Sequence, residues 1–212
     1  MKKLIALTLA LCLIVCLSAC GDDRKENPFT ATEETKQVAN ILGTINGQSY
    51  RNEFFGFQAT LPTGWEVYSF EQTAQLMLDK TLDAEGLKQN LEDTGLTYPF
   101  YAIKDGGISS VNIVIEKLNP ASLSEQAYAQ IAVKSVPAAL ESIGLSNVSA
   151  QVTSLNFAGS SHAAVEVYGE INGTPFHETV ACVKGDSYIC CITVGSYDAD
   201  TVQSLLAAFT KA

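Results

Sequence analysis

Apolar residues recur along this chain with two different periods, and each period predicts a different kind of element. Spacings of three and four residues predict four helices. Their predicted N-caps are Ser69, Asp83, Ser122 and either Asp198 or Asp200. Alternating apolar and polar residues predict about eight strands, within 53–67, 98–117 and 151–194. Because the strands group into hairpins and do not alternate with helices, the pattern predicts an α+β domain with a central antiparallel sheet.

Two of the predicted helices carry the pattern of a capping box. Gln72 and Glu125 each follow a serine by three residues, so each side chain is expected to bond back to the first turn of its helix. The helix that begins near Ser122 also contains Pro137, which removes one backbone hydrogen bond. A kink or break is therefore expected between Val133 and Val136.

The dipeptide Asn172-Gly173 predicts a tight hairpin and thereby a strand register. In that register Val167 lies opposite Glu178 and Tyr168 opposite His177. One face of the hairpin is then apolar, with Glu178 as its polar exception. The other face carries both histidines of the chain and is expected to be the wetter one. That face also includes Glu166, Glu170 and Thr179.

Three cysteines fall in the last predicted hairpin, at positions 182, 190 and 191. If the more apolar side of each strand points inward, Cys190 lies opposite Cys182 across an odd-length loop. Directly opposed residues bring their Cβ atoms to about 4.5–5.5 Å, close to the range of a disulfide. We therefore predict a Cys182–Cys190 disulfide, with three small buried thiols as the alternative.

Composition limits the class of protein. The chain has 212 residues, of which 47% are hydrophobic and 17% charged, which is too apolar for a disordered protein. A net charge of −10 argues against a nucleic-acid partner, because phosphates must be met by Lys and Arg.

The first twenty residues have the parts of an export signal. Lys2 and Lys3 precede an apolar run of 14 residues from Leu4 to Leu17, which is shorter than the roughly 20 residues that span a bilayer. The run ends in Leu17-Ser18-Ala19-Cys20. This ending resembles the lipobox of bacterial lipoproteins, whereas the alternative is an ordinary signal peptide with an incidental cysteine.

The lipobox resemblance implies an address and a domain plan. Residues 1–19 are then a lipoprotein signal peptide that is removed, and Cys20 carries a diacylglycerol with acyl chains such as palmitate. Residues 20–43 form a lipid-anchored tether and 44–212 a single α+β domain. Acyl chains hold a protein stably at a membrane surface. We therefore expect a lipid-anchored protein on the extracytoplasmic face of the cell membrane.

A block of glycines and aromatics at the start of the domain carries a second resemblance. It runs from Gly43 through Tyr50, Phe55 and Leu61 to Trp65. The block looks like the opening of small bacterial lipoproteins whose domains are similar to the PsbP/Mog1-like fold. That resemblance implies an α/β/α sandwich that acts as a non-catalytic binding or assembly module. No partner-binding residue of that group has a match in this sequence.

The residue types that carry chemistry do not converge in the sequence. His162 and His177 share a sheet face but lie about six strand positions apart, roughly 20 Å, so they cannot hold one metal together. No nucleophile-elbow, P-loop, zinc-protease or dinucleotide motif occurs. We therefore predict no catalytic residue, no metal site and no cofactor.

The sequence thus favours a non-catalytic binding module of the cell envelope. Its expected partners are the membrane, through the lipid on Cys20, and an envelope protein or a small ligand. Two alternatives remain open: an envelope hydrolase whose carboxylates converge in space, and a solute-capturing module. A hydrolase requires two close carboxylates in a pocket, a solute binder a deep apolar cavity, and a protein binder an exposed patch.

Overall fold

The computed structural model describes residues 40–212. The predicted signal peptide, the lipid-attachment residue Cys20 and most of the predicted tether lie outside the described residues. Ile41 and Leu42, which the predicted boundary assigns to the tether, are buried in the core. No helix in the described part of the chain is long and apolar enough to cross a membrane.

Residues 40–212 form eleven strands and four helices. The strands are β1 (Thr44–Asn46), β2 (Ser49–Asn52), β3 (Phe57–Thr60), β4 (Trp65–Val67), β5 (Leu96–Lys104), β6 (Ser109–Lys117), β7 (Ser146–Phe157), β8 (Ser160–Ile171), β9 (Thr174–Gly185), β10 (Tyr188–Ser196) and β11 (Phe209–Lys211). The helices are α1 (Phe70–Leu78), α2 (Ala84–Thr94), α3 (Glu125–Ser142) and α4 (Ala199–Ala207).

The strands form two antiparallel sheets. The large sheet has seven strands in the order β4-β5-β6-β10-β9-β8-β7, and the small sheet has four in the order β1-β2-β3-β11. The predicted α+β class with an antiparallel sheet is therefore confirmed. The layering differs in one respect from a sheet flanked only by helices, because the small sheet covers part of one face of the large sheet.

A separate apolar core lies on each face of the large sheet. On one face α3 contributes Tyr128, Ala132, Val136 and Leu140, which pack on β5 to β10. On the other face the small sheet and α4 pack on the central strands, with Phe57 among the fully buried side chains. The sheet is thus covered on both sides near its centre. The outer strands β7 and β8 extend beyond the layer that the small sheet and α4 form on one face.

Local sequence explains where most helices begin. Ser69 and Gln72 form the predicted capping box of α1, and Asp83 caps α2 as predicted. Helix α3 differs from the prediction, because Ser124 and not Ser122 is its N-cap. A break between Val133 and Val136 is wrong, since α3 continues through Pro137 to Ser142, whereas a kink there stays a prediction.

The predicted register of the β8–β9 hairpin is confirmed. Val167 lies opposite Glu178 and Tyr168 opposite His177. Asn172 and Gly173 both have positive φ, of 52° and 78°, as a tight hairpin turn of this type requires.

The predicted register of the next hairpin is wrong. Gly185 pairs with Tyr188, so the β9–β10 turn has an even length of two residues and not an odd one. Cys182 therefore lies opposite Cys191, while Cys190 lies opposite Val183 and packs into the core on the other face. All three cysteines are free thiols in the structure. The predicted Cys182–Cys190 disulfide thus loses the opposed positions on which it depended.

Candidate functional site

An open groove of about 430 Å³ lies between strands β7 to β9 and helix α4. Its floor is formed by three neighbouring strands, next to the edge of the layer made by the small sheet and α4. One wall of the groove consists of Ala199, Val202 and Gln203 of α4. The groove is therefore a concave part of the sheet face that the sequence predicted to be the wetter one.

Strand alternation decides which side chains enter the groove. Ala150, Val167 and Glu178 form one cross-strand row, and the residues on either side of each point the opposite way. Val167 packs into the core beneath α3, so this row contributes backbone to the groove floor. The groove side chains of the three strands are Ser149, Gln151, Glu166, Tyr168, His177 and Thr179.

Polar contacts and one aromatic pair order these side chains. The Gln151 amide donates a hydrogen bond of 2.9 Å to the Glu166 carboxylate. The rings of Tyr168 and His177 meet edge to face with their centroids 5.5 Å apart. Tyr168 is 36% exposed and, with Ile108, is one of two large apolar side chains exposed in the described part of the chain. The groove thus offers an aromatic face beside hydrogen-bonding groups.

Glu178 borders the groove, but its carboxylate points away from it. The side chain points to the face beneath α3, where burial raises the pKa of its carboxyl well above the usual value. Its Oε1 atom has no hydrogen-bond partner there. Glu166 is therefore the one carboxylate that the described residues present to the groove, and the convergent pair expected of a hydrolase does not form there.

A second cleft, of about 230 Å³, lies between the small sheet and the β7–β8 turn. Phe55, Phe57 and Phe157 line it together with three side chains that can carry positive charge, His162, Lys184 and Lys211. The two histidines therefore lie in different clefts. No group of three metal-ligating side chains occurs within residues 40–212.

Glu125 joins α3 to the strand ends beside this cleft. Its carboxylate lies 3.0 Å from Nδ1 of His162 and accepts hydrogen bonds from the backbone N–H groups of Lys184 and Ala163. Burial opposes ionisation, but these contacts outweigh it and lower the pKa of the Glu125 carboxyl. The sequence predicts that Glu125 belongs to a capping box with Ser122, three residues earlier. A motif this short carries no information about the contact with His162 on β8.

No known protein family matches the chain, and no curated protein matches it. Several solved structures are similar to it. The cyanobacterial PsbP protein (CyanoP) of Synechocystis sp. PCC 6803 is 12% identical with a TM-score of 0.47, over 81% of this chain and 99% of that one. LpqN, a Mycobacterium tuberculosis protein involved in cell envelope biogenesis, is 8% identical with a TM-score of 0.40, over 73% and 82%. The extracellular domain of PknH from the same organism is 9% identical with a TM-score of 0.27, over 82% and 88%.

Proposed function

We propose that this chain is an extracytoplasmic lipoprotein with a PsbP/Mog1-like domain that acts as a non-catalytic binding module of the cell envelope. The lipid on Cys20 holds it at the membrane, and the groove between β7, β8, β9 and α4 binds its partner. The observation that carries the proposal is the groove itself, which presents Tyr168, His177 and Gln151 on an open sheet face.

The geometry of the groove favours binding over catalysis. Hydrolysis of a glycosidic bond by the usual route needs two carboxylates about 5–10 Å apart. The groove presents one, and that carboxylate already accepts a hydrogen bond from Gln151. The reacting groups that a hydrolase needs are therefore not assembled at this face.

The groove is also a poor match for a small apolar solute. Sites that capture such ligands enclose most of the ligand surface and are lined mainly by apolar side chains. Here one side is open, and polar side chains from three strands line the floor. A surface loop or an extended segment of another envelope protein fits this shape better.

Charge limits which partner is favoured. The chain has a net charge of −10, and the groove presents the carboxylate of Glu166. Complementary potentials accelerate association and suppress partners of like sign. The expected partner segment is therefore neutral or basic, with a side chain that can stack on Tyr168.

Mass spectrometry of the native protein tests the anchor. The mature chain is expected to begin at Cys20 and to carry the added mass of a diacylglycerol. The variant Cys20→Ser should remain unprocessed and lose this lipid mass. A mature chain that begins at Cys20 without lipid, or normal processing and membrane fractionation of Cys20→Ser, would contradict the anchor.

Site-specific photo-crosslinking in intact cells tests the groove. A photoreactive residue at Gln203, an exposed position on the groove wall, should give a discrete adduct with a partner. The same probe at Lys134, exposed on α3 on the other face of the sheet, is the matched control. The adduct should disappear when Tyr168→Ala is added. An adduct that forms equally from both positions, or from neither, argues against the groove.

A further inference from the structure

Strand β7 forms a long edge of the large sheet. It is the last strand in the order and pairs only with β8 among the strands of residues 40–212. It has 12 residues, whereas the edge strands β1, β4 and β11 have three each. An edge strand presents a row of unpaired N–H and C=O groups, so β7 presents by far the longest row in the described structure.

A bulge between Ser146 and Ser149 protects the start of β7, but the rest of its edge lacks protecting side chains. Natural edges are also guarded by charged side chains, especially lysine, or by proline. β7 reads SNVSAQVTSLNF and contains neither, within a chain of net charge −10. Val148, Val152 and Leu155 along it pack against the two cores and stay partly exposed. The strand is therefore a neutral, partly apolar strip on an acidic body.

Side chains of β7 also mask the acids of the neighbouring strand. Asn147 donates a hydrogen bond of 3.1 Å to Glu170, and Gln151 donates one of 2.9 Å to Glu166. Both carboxylates are thereby held by the amides of β7. Another strand that approaches this edge meets amide and hydroxyl groups before it meets negative charge.

We propose that β7 pairs antiparallel with β7 of a second copy of this chain, about a twofold axis at Thr153. The pairing would join the two large sheets into one continuous sheet. The pairing uses the backbone edge of β7, which adjoins the groove at Ser149 and Gln151, and it does not depend on what the groove binds. Closed twofold contacts of this kind are the commonest way in which soluble chains form dimers.

The register follows from the shape of the strand. A bulge interrupts β7 between Ser146 and Ser149, so its regular part runs from Ser149 to Phe157. The midpoint of that part is Thr153. Pairing about the midpoint sets Thr153 opposite itself, a favourable cross-strand pair, and brings no charged side chains together.

Symmetry is the reason to choose a second copy as the occupant. When the twofold axis passes through a residue, that residue lies opposite its own copy, and all directly opposed side chains then lie on the same face of the sheet. The groove faces of both copies then lie on one side and both α3 helices on the other. A second copy also brings the same neutral strip, so two bodies of net charge −10 meet where neither presents a charge.

Cross-linking across the predicted axis is the first test. The full chain carrying Thr153→Cys should form a covalent dimer under a short bifunctional maleimide. Pairing holds the two thiols at a high effective concentration, so the yield should exceed that of Thr210→Cys by about tenfold or more. Thr210 is an exposed threonine on the short edge strand β11 and is the matched control. The unsubstituted chain controls for the four cysteines that remain once residues 1–19 are removed.

Charge pairing at the axis is the second test, read by sedimentation equilibrium up to about 1 mM protein. Thr153→Lys alone and Thr153→Glu alone should each weaken the dimer by roughly fivefold, because like charges then face each other. An equimolar mixture of the two should restore the dimer. A damaged fold would not be rescued by mixing.

A monomeric unsubstituted chain at all these concentrations, together with equal cross-linking at positions 153 and 210, would overturn the proposal. So would a cross-link from position 153 to a different protein or to residues 20–39 of the same chain. Either of these two cross-links would mean that the edge of β7 has an occupant other than a second copy. Loss of the groove adduct at Gln203 would leave this proposal unaffected, so the two failures are distinguishable.

Discussion

At the scale of single residues, a buried acid lies where α3 packs on the sheet. Burial raises the pKa of Glu116 to about 7, although the neighbouring Tyr128 hydroxyl lowers it in part. Oε1 of Glu116 has no hydrogen-bond partner. The folded state therefore keeps a proton on Glu116 to a higher pH than the unfolded chain, whose value is near 4.5.

Linkage gives the sign of the effect on stability. Because the folded state binds more protons between pH 4.5 and 7, the contribution of Glu116 to the unfolding free energy falls as pH rises through this window. Glu116→Gln removes the penalty. We expect the variant to gain stability over the unsubstituted chain at pH 8, by on the order of 3 kcal/mol at most, and little at pH 4.5.

Urea unfolding at pH 4.5, 6 and 8 measures this difference. Glu141→Gln, at an exposed position on α3, is the matched control and should leave the pH profile of stability unchanged. If Glu116→Gln shifted stability by the same amount at every pH, the protonation of Glu116 would not be the cause.

The buried cysteines allow a second prediction at this scale. Cys182 and Cys191 lie on directly opposed positions of β9 and β10, close to the range of a disulfide. On refolding with oxidised glutathione, Cys190→Ala should still lose two thiols to a disulfide. Cys191→Ala should keep both Cys182 and Cys190 reduced. A Cys182–Cys190 cross-link found by peptide mass mapping would contradict the register.

At the scale of elements, Glu125 ties the first turn of α3 to the ends of β8 and β9. Its carboxylate accepts hydrogen bonds from the backbone N–H groups of Lys184, at 2.8 Å, and Ala163, at 3.4 Å, and lies 3.0 Å from His162. Glutamine keeps one acceptor oxygen but replaces the other with an NH2 donor and removes the charge, so at least one of these donors loses its acceptor, which costs about 1–3 kcal/mol. We expect Glu125→Gln to lower the unfolding free energy within that range at pH 7.

The pH dependence of this contact has the opposite sign to that of Glu116. The pKa of Glu125 is lowered in the folded state, so its contribution is present above the unfolded value of 4.5 and is lost as pH falls through the folded value. The difference between Glu125→Gln and the unsubstituted chain should therefore shrink as pH falls below 4.5. Glu141→Gln on the same helix should show no difference of this kind in the same urea titrations. A constant difference down to pH 3 would assign the loss to shape instead of charge.

Local signals in the sequence account for the elements that were predicted correctly. Asn172-Gly173 fixes the β8–β9 register because two neighbouring residues must both adopt positive φ. Ser69 and Gln72 fix the start of α1 because their hydrogen bonds span only three residues. These determinants lie within a few positions of each other, so a single sequence reveals them.

The elements and contacts that were missed depend on distant parts of the chain. Strand β11 pairs Phe209 with Ala59, a partner about 150 residues earlier, and its three residues are too few to show an alternation. The groove likewise needs α4 beside β9, although the wet face of β8 and β9 was predicted from alternation alone. The cysteine register failed because one residue of turn length exchanges the two faces of a strand.

At the scale of the whole molecule, the two surfaces of this fold respond to charge in different ways. The body carries a net charge of −10, while β7 carries none along its 12 residues. Two copies that meet at β7 therefore repel each other through their bodies and attract each other only through neutral contacts at the edge. Screening by salt weakens the repulsion and leaves the contacts intact.

Salt should therefore strengthen the β7 dimer. The Debye length falls from about 30 Å at 0.01 M to about 3 Å at 1 M salt, so repulsion between the two bodies is largely removed at the higher concentration. Sedimentation equilibrium across this range should show the dimer fraction of the unsubstituted chain rising with sodium chloride. The mixed dimer of Thr153→Lys with Thr153→Glu is the matched control, because its added attraction is screened and its gain should be smaller. A dimer that dissociates as salt rises would mean that ion pairs hold the interface, and the neutral edge of β7 would then not be its centre.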